Sequence, residues 1–336
     1  MLGETRLRMS VRRRHPRTRE NRVLRLLARL EREPRQDPVI DGLRAGKRSL
    51  PLGRGRDLLR GTWLGHPVHP LLVQVPIGSW LSAAVLDVTK GRPREAGLLV
   101  GVGLAAAGPA ALTGAADWAE LQRPQLRVGL VHAVSNTVAV GLYTASLVCR
   151  VAGRTRAGRT LGFLGLAAVG SGGMLGGHLA YRQAAGVNHA EAVPHVVRDR
   201  WHRIGALDDF PPGRPVRRSV DDVPVVVVRE TDGSIHALAD RCSHLAGPLS
   251  EGTVSDGCVR CPWHGSVFRL SDGLNVRGPA VAPQPAFDAR VTDGQVELRL
   301  VRHDGRDGRD QRAGDGREPH RHRNEAGRGS AHGHTH

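Results

Sequence analysis

Two cysteines and two histidines are the residues of this 336-residue chain best suited to do chemistry. One residue separates Cys242 from His244, and two residues separate Cys261 from His264 further along the chain. Thiolates and neutral imidazoles are common protein ligands of zinc and of iron–sulfur centres. Each short segment offers one ligand of each kind, so we expect two loops to close around one metal centre.

The order of the ligands separates two kinds of metal site. Zinc sites with two Cys and two His usually pair Cys with Cys and His with His, as C-x2-C followed by H-x3–5-H. A 2Fe-2S cluster in which one iron binds two thiolates and the other binds two imidazoles accepts one Cys and one His from each loop. The sequence therefore favours the cluster, and a structural zinc site is the alternative.

The residues around these ligands resemble a known family. The segments CSHLAGPLSEG, from Cys242, and CPWHGSVF, from Cys261, are similar to the two cluster loops of Rieske ferredoxins. The resemblance covers residues 200–301, where short apolar segments alternate with Asp-Gly turns typical of antiparallel hairpins. It implies an all-β Rieske domain with one 2Fe-2S cluster, held by Cys242, His244, Cys261 and His264, whose histidines face solvent and pass electrons.

The loops also indicate which kind of Rieske domain this chain resembles. High-potential members have an additional Cys in each cluster loop, and the two form a disulfide. Gly247 and Trp263 occupy the matching positions here, so the chain looks like the oxygenase-type ferredoxins of reducing compartments. Ser266 matches a serine that in the family donates a hydrogen bond to a cluster sulfur, whereas Phe268 replaces a tyrosine donor. Because such donors stabilise the reduced cluster, the resemblance implies an intermediate reduction potential.

Four stretches before the cluster loops contain no Asp, Glu, Lys or Arg: residues 61–86, 96–116, 128–149 and 160–181. Each is long enough to cross a bilayer, which needs roughly twenty residues. Helices of soluble bundles need a polar face, so we expect a transmembrane bundle rather than a soluble one. The predicted fold class is multidomain, with an α-helical four-span membrane bundle at residues 61–182 followed by an all-β domain.

The remaining segments are polar and strongly basic. Residues 1–60 contain 18 Lys and Arg against 7 Asp and Glu, in a chain of net charge +17. Within them, residues 20–33 could form a basic amphipathic helix on an anionic leaflet, an ordinary solvated helix or a disordered basic tail. Nucleic-acid binding has no support beyond charge, since no motif or aromatic interleaving accompanies it. We predict a linker at residues 183–199, which if extended would let the β domain either dock on its own membrane part or swing to a partner, and a disordered His/Arg/Gly-rich tail at residues 302–336.

Four histidines lie in or beside the predicted spans. The segment from His66 to Pro70 resembles the start of an uncharacterised family of four-helix bacterial membrane proteins with an HP-x-HP motif. Counting along the spans places His66, His69, His132 and His178 near one membrane face, the one that carries both chain termini. Ionisable residues in membranes are candidates for function. They could ligate a b-type haem or another metal, bind a quinone, or be wetted and bond helix-end carbonyls.

The expected function is membrane-anchored one-electron transfer, between a redox partner protein or quinone and the cluster. Alternatives are a quinone- or haem-linked oxidoreductase that uses the histidine-bearing bundle, and a redox sensor. Residues 302–336 are too few for the mononuclear iron domain of an oxygenase. The basic N-terminal segment and the missing loop disulfide lead us to expect the Rieske domain and both termini in the cytoplasm. Membrane lipid is then the other partner.

Overall fold

The computed structural model describes residues 22–48, 53, 55–89 and 92–302. A helical part is followed by an all-β part, which confirms the predicted fold class. The predicted disordered tail lies outside the described residues except for Arg302, and so do residues 1–21 of the basic N-terminal segment. The helices, numbered in chain order, are α1 Arg22–Arg32, α2 Asp37–Arg48, α3 Gly55–Arg60, α4 His69–Leu72, α5 Gln74–Thr89, α6 Pro93–Trp118, α7 Arg123–Val151, α8 Thr155–Gly177 and α9 Val193–Val196.

Among the described residues, four helical segments are long and apolar enough to cross a membrane, as predicted from composition. The first begins at His69 rather than at residue 61, because Gly61 and Gly65 adopt positive φ angles of 83° and 79° that interrupt a helix. We call these segments spans 1 to 4: His69–Thr89, which combines α4 and α5, Pro93–Trp118, Arg123–Val151 and Thr155–Arg182, which continues α8 by a π-helical turn.

The spans pack as two helical hairpins, span 1 on span 2 and span 3 on span 4. Trp80 of span 1 stacks on Tyr143 of span 3, with ring centroids 4.2 Å apart. Each ring lies against a glycine of the other helix in its own hairpin, Gly103 for Trp80 and Gly165 for Tyr143. Small residues let membrane helices approach closely, so these glycines make room for the aromatic pair that joins the hairpins.

A buried ion pair joins the hairpins at the ends of spans 1 and 3. The Arg150 guanidinium donates to both carboxylate oxygens of Asp87, with Nη1 3.0 Å from Oδ1. Their side chains are only 5% and 3% exposed. Charges inside a membrane protein are stable only when they are paired, so this pair holds the spans in register.

Asp87→Ala should strongly destabilise the bundle, because it leaves the Arg150 charge buried without its partner. Breaking a buried pair in this way costs about 3–5 kcal/mol. Thermal unfolding of the detergent-extracted protein measures the loss. Glu33→Ala is the control, since its pair with Arg35 is exposed and contributes at most about 1 kcal/mol. Equal effects of the two substitutions would contradict this role for the pair.

The β domain consists of two antiparallel sheets, one with six strands in the order β1-β10-β9-β4-β3-β2 and one with four in the order β5-β6-β7-β8. Alternate residues of the larger sheet, such as Val225, Val227, Val296 and Leu298, form its buried core with Phe210. The strands are β1 His202–Ala206, β2 Pro215–Val220, β3 Val223–Arg229, β4 Ile235–Ala239, β5 Thr253–Ser255, β6 Cys258–Arg260, β7 Val267–Arg269, β8 Asn275–Arg277, β9 Ala286–Thr292 and β10 Gln295–Leu300.

Residues 183–199, predicted as a linker, pack against the β domain. Val193 and Val197 are buried in the core of the β domain. The backbone N–H of His189 donates to the carbonyl oxygen of Ser243 at 2.9 Å. The segment is held because its valines remove apolar surface from water, at roughly 25 cal/mol per Å². It therefore fixes the β domain to the chain that leaves span 4.

The helix expected within residues 20–33 is present as α1, and one of its sides packs on the bundle. Leu27 is buried against Val128 of span 3 and Leu175 of span 4. Val23 and Leu26, on another side of the same helix, are 44% and 66% exposed. The described part of the basic N-terminal segment is thus an element of the helical domain rather than a separate solvated helix.

Candidate metal centre

Two loops with the same backbone geometry carry the four candidate ligands. The first follows β4, and the second connects β6 to β7. In each loop the cysteine N–H donates to the carbonyl five residues later, and the residue four positions later has a positive φ angle and donates back to the cysteine carbonyl. The donor–acceptor pairs are Cys242–Gly247 at 2.9 Å and Ala246–Cys242 at 2.8 Å, and Cys261–Ser266 at 2.8 Å and Gly265–Cys261 at 3.1 Å.

The four side chains form two separate pairs. The Cys242 thiol donates a hydrogen bond to Cys261 Sγ, and both sulfurs are buried. The rings of His244 and His264 meet edge to face, with centroids 5.1 Å apart. Within the described ranges, no three His, Cys, Asp or Glu side chains converge on one point as ligands of a single metal ion do. A mononuclear zinc site needs that convergence, whereas a cluster of two irons needs a thiolate pair and an imidazole pair.

The protonation states also fit iron ligands. Burial, reinforced by the charges of His264 and Arg60, lowers the pKa of His244 to about 3, so its imidazole is neutral. Its Nδ1 atom is buried and has no hydrogen-bond partner, although buried polar atoms are nearly always paired. The hydrogen bond between the thiols lowers the pKa of Cys261 to about 6 and raises that of Cys242. A neutral ring with an unpaired nitrogen and a readily formed thiolate are the states that bind metal.

The loops approach each other closely at a glycine. A Cβ atom at Gly247 would lie 3.0 Å from both Cys261 Sγ and the Trp263 ring. Only a residue without a side chain leaves this space open. Cys242 and Cys261 are free thiols, as are the two other cysteines of the chain. The loops therefore contain no disulfide, in agreement with the ferredoxin-like pattern.

Comparisons with known proteins match the part of the chain that contains the two loops. A family model described as a Rieske 2Fe-2S domain matches residues 200–288. The anthranilate 1,2-dioxygenase ferredoxin subunit of Burkholderia cepacia is 38% identical over 100 residues, which are 30% of this chain and 92% of that protein. The chain belongs to the Rieske 2Fe-2S family. It carries one Rieske-type 2Fe-2S cluster.

Further relatives match the Rieske domain alone. Ferredoxin CarAc of Metapseudomonas resinovorans is 35% identical over 29% of this chain and 90% of its own length. Among solved structures, the ferredoxin of carbazole 1,9a-dioxygenase from Nocardioides aromaticivorans IC177 has 30% identity, covers 30% of this chain and 98% of its own, and gives a TM-score of 0.29. A second family model, described as a predicted membrane protein (DUF2231), matches residues 65–189. The predicted fusion of a Rieske domain with a four-helix membrane family is confirmed.

The cluster end of the Rieske domain rests against α3 of the helical part. A Cβ atom at Gly278 would lie 2.9 Å from Asp57 Oδ1. Arg60, at the end of α3, is buried in a 2.6 Å ion pair with Glu120, and its charge acts on the ring of His244. The family resemblance implies histidines that face solvent, but His244 and His264 are half-buried.

Of the four membrane histidines, the structure brings two together. The rings of His69 and His132 have centroids 6.3 Å apart and an interplanar angle of 81°. His66 is exposed and lies 3.0 Å from the carbonyl oxygen of the next residue, whereas His178 Nε2 lies 2.8 Å from Glu31 Oε1. Only His69 and His132 therefore share a place inside the bundle.

Gln284 is a functional residue that sequence reasoning missed. It is buried, and its Oε1 accepts the N–H of Ser243 at 3.0 Å. Its Nε2 donates to the carbonyl oxygens of Ala239 and Arg241, at 2.7 and 2.6 Å. One side chain thus satisfies three backbone groups around the first cluster loop. The only signal in the sequence is a polar residue between two prolines, which by itself indicates a loop.

Ser266 is placed to act on the sulfur side of the site. It is fully buried, and its Oγ accepts the N–H of Ala280 at 2.9 Å. Its own hydroxyl proton remains available, and it donates to the Cys242 sulfur, which lowers the pKa of that thiol. A hydrogen-bond donor at this position stabilises negative charge on the sulfur.

Ser266→Ala should lower the reduction potential of the cluster by tens of millivolts. A hydrogen bond to a charged group is worth about 1.5–3 kcal/mol, and about 59 mV corresponds to a tenfold change in a one-electron equilibrium. Redox titration followed by EPR measures the shift. Ser234→Ala is the control, because its hydroxyl bonds Asp232 at the surface. An unchanged potential for Ser266→Ala would remove this role for the serine.

Proposed function

We propose that this chain is a membrane-anchored one-electron carrier in which Cys242 and Cys261 bind one iron of the cluster, and His244 and His264 bind the other. The pairing of two sulfurs and, separately, of two imidazoles is the observation that carries this assignment. When bound, the cluster supplies reversible one-electron chemistry. Ser266 stabilises charge at the sulfurs.

The imidazoles are the edge through which electrons enter and leave. Both sulfurs are buried, whereas both histidines are half-buried, and the charge of Arg60 at the end of α3 acts on His244. In this arrangement the chain's own bundle covers part of the histidine edge, and a redox partner reaches the rest. The partner is a protein that donates or accepts one electron, or a quinone in the adjoining membrane.

The Rieske domain and both termini lie on the cytoplasmic side in this proposal. Four spans place the two ends of the bundle on one side, and the segment before span 1 is rich in Lys and Arg. The free cysteines agree with a reducing compartment. Lipid surrounds the bundle, whose outward-facing side chains include many exposed apolar residues.

Redox titration of the full chain, extracted from isolated membranes, tests the carrier function. We expect the chain in the membrane fraction and an EPR signal that appears on reduction, disappears on reoxidation and follows a one-electron Nernst curve. A chain found in the soluble fraction, or a centre that cannot be reduced and reoxidised, would contradict the proposal.

A second candidate function is a quinone- or haem-linked oxidoreductase. The observation that favours it is the meeting of His69 and His132 inside the bundle, on the side to which the Rieske domain is attached. In that case the chain would pass electrons between its own cluster and a second redox group in the membrane.

A further inference from the structure

Two imidazoles meet across the interior of the bundle, and each belongs to a different hairpin. His69 opens span 1 and reaches the backbone of span 2, whereas His132 of span 3 reaches the backbone of span 4. Their ring centroids are 6.3 Å apart. The pair therefore bridges the interface between the hairpins, where a ligand could contact both.

Hydrogen bonds set the protonation of both rings. Nδ1 of His69 lies 2.8 Å from the carbonyl oxygen of Ala110, and Nδ1 of His132 lies 2.8 Å from that of Gly172. A carbonyl can only accept, so each neutral ring carries its proton on Nδ1 and has a lone pair on Nε2. Metal-ligating histidines are held by such a bond from their other ring nitrogen. A quinone carbonyl needs a donor, which Nε2 in this state does not supply.

The number of available ligands selects the kind of metal group. In the part of the chain that the structure describes, no third His, Cys, Asp or Glu joins this pair as a ligand. Zinc needs three or four protein ligands. Iron in a porphyrin has four equatorial ligands from the macrocycle and takes only axial ligands from the protein. We propose that His69 and His132 are the axial ligands of a b-type haem bound between the two hairpins.

Glycines let both imidazoles lie against a helix backbone. A Cβ atom at Gly114 of span 2 would lie 2.7 Å from the His69 ring, and one at Gly176 of span 4 would lie 3.3 Å from the His132 ring. Asn136 Nδ2 lies 3.2 Å from His132 Nε2 and also donates to the His132 carbonyl oxygen at 2.9 Å. Ligation of iron by His132 Nε2 would replace the 3.2 Å contact of this atom with Asn136. The 2.9 Å hydrogen bond from Asn136 to the His132 carbonyl oxygen would remain.

A short path of contacts connects this pair with the cluster loops. Ser243, next to the cluster ligand His244, accepts the N–H of His189. A few residues earlier, a Cβ atom at Gly186 would lie 3.6 Å from Pro67, which precedes His69 by two positions. Electron exchange along this path moves one electron between two irons and breaks no bond. This role of the haem rests on the proposed function, whereas haem binding itself does not.

Haem content of the full chain, expressed with haem supplied and purified in detergent, tests the proposal. We expect one haem per chain by pyridine haemochrome assay, and its loss in both His69→Ala and His132→Ala. The EPR signal of the cluster should persist in both variants, which shows that their Rieske domain is folded. His66→Ala is the matched control and should keep the haem, because that ring is exposed and bonds only a neighbouring carbonyl.

Rescue with added imidazole is a second test, which keeps the proposal falsifiable if an alanine variant fails to fold. His69→Gly should regain the haem spectrum when imidazole is added, because the free ring can occupy the vacated axial position. Three results would overturn the proposal. The first is a wild-type chain that has its cluster signal but no haem, and the second is haem retained in both alanine variants. The third is copper or zinc found in place of haem. A chain that contains haem but gives no cluster signal would instead contradict the carrier function and would still support the haem site.

Discussion

His264→Ala should abolish the EPR signal and the visible absorption of the 2Fe-2S cluster. His264 and His244 form the imidazole pair, and removing one ring leaves one iron with a single protein ligand. The Rieske domain itself should stay folded, because its apolar core lies in the larger sheet and contains none of the four ligands.

Iron and sulfide content, EPR and far-UV circular dichroism of the same sample measure this result. His236→Ala is the matched control, since its ring lies beside Ser234 near the start of β4, whereas the first cluster loop follows the end of that strand. The control should retain the full cluster signal. A cluster signal unchanged in His264→Ala would refute the ligand assignment.

Gln284→Ala should reduce cluster content although all four ligands remain. The substitution leaves the Ser243 N–H and the carbonyls of Ala239 and Arg241 without the partner that now satisfies them. Each buried group left unpaired costs about 1–3 kcal/mol, so the three groups together correspond to a loss of about 3–9 kcal/mol of folding free energy. The first cluster loop, which contains Cys242, should then become the least ordered part of the domain.

Thermal unfolding and the ratio of cluster to protein measure the effect of Gln284→Ala. Gln295→Ala removes the same side chain at the start of β10, where the backbone ladder does not depend on it. We expect little change in this control. A Gln284→Ala protein with normal stability and full cluster content would show that the side chain does not hold the loop.

The cluster site was predictable because its information is local. Each loop carries a Cys and a His within four residues, and the turn that presents them needs only a residue tolerant of positive φ, such as Gly265. Gln284 was not predictable, because its hydrogen bonds reach residues 41 to 45 positions away in sequence. Contacts of that range depend on how the two sheets pack, which spacing along the chain does not reveal.

In the membrane domain, too, some features were predictable from the sequence and others were not. Four spans follow from uninterrupted apolar composition, and the described part of the chain has four helical segments long and apolar enough to cross a membrane. Whether His69 meets His132 depends on the rotation of each helix about its own axis. The largely apolar sequences of the spans have no polar face that would predict this rotation. The packing of residues 183–199 was not predictable either, because Val193 and Val197 are few and separated, yet both enter the core of the neighbouring domain.

Pulsed EPR of the reduced, membrane-extracted full chain, grown with nitrogen-15-labelled histidine, tests most directly whether two histidines bind the cluster. We expect hyperfine couplings from two histidine nitrogens on one 2Fe-2S cluster, and only one coupling or none in His244→Ala or His264→Ala protein. A cluster without nitrogen coupling, or a chain that contains zinc and no paramagnetic centre, would contradict the assignment of these ligands.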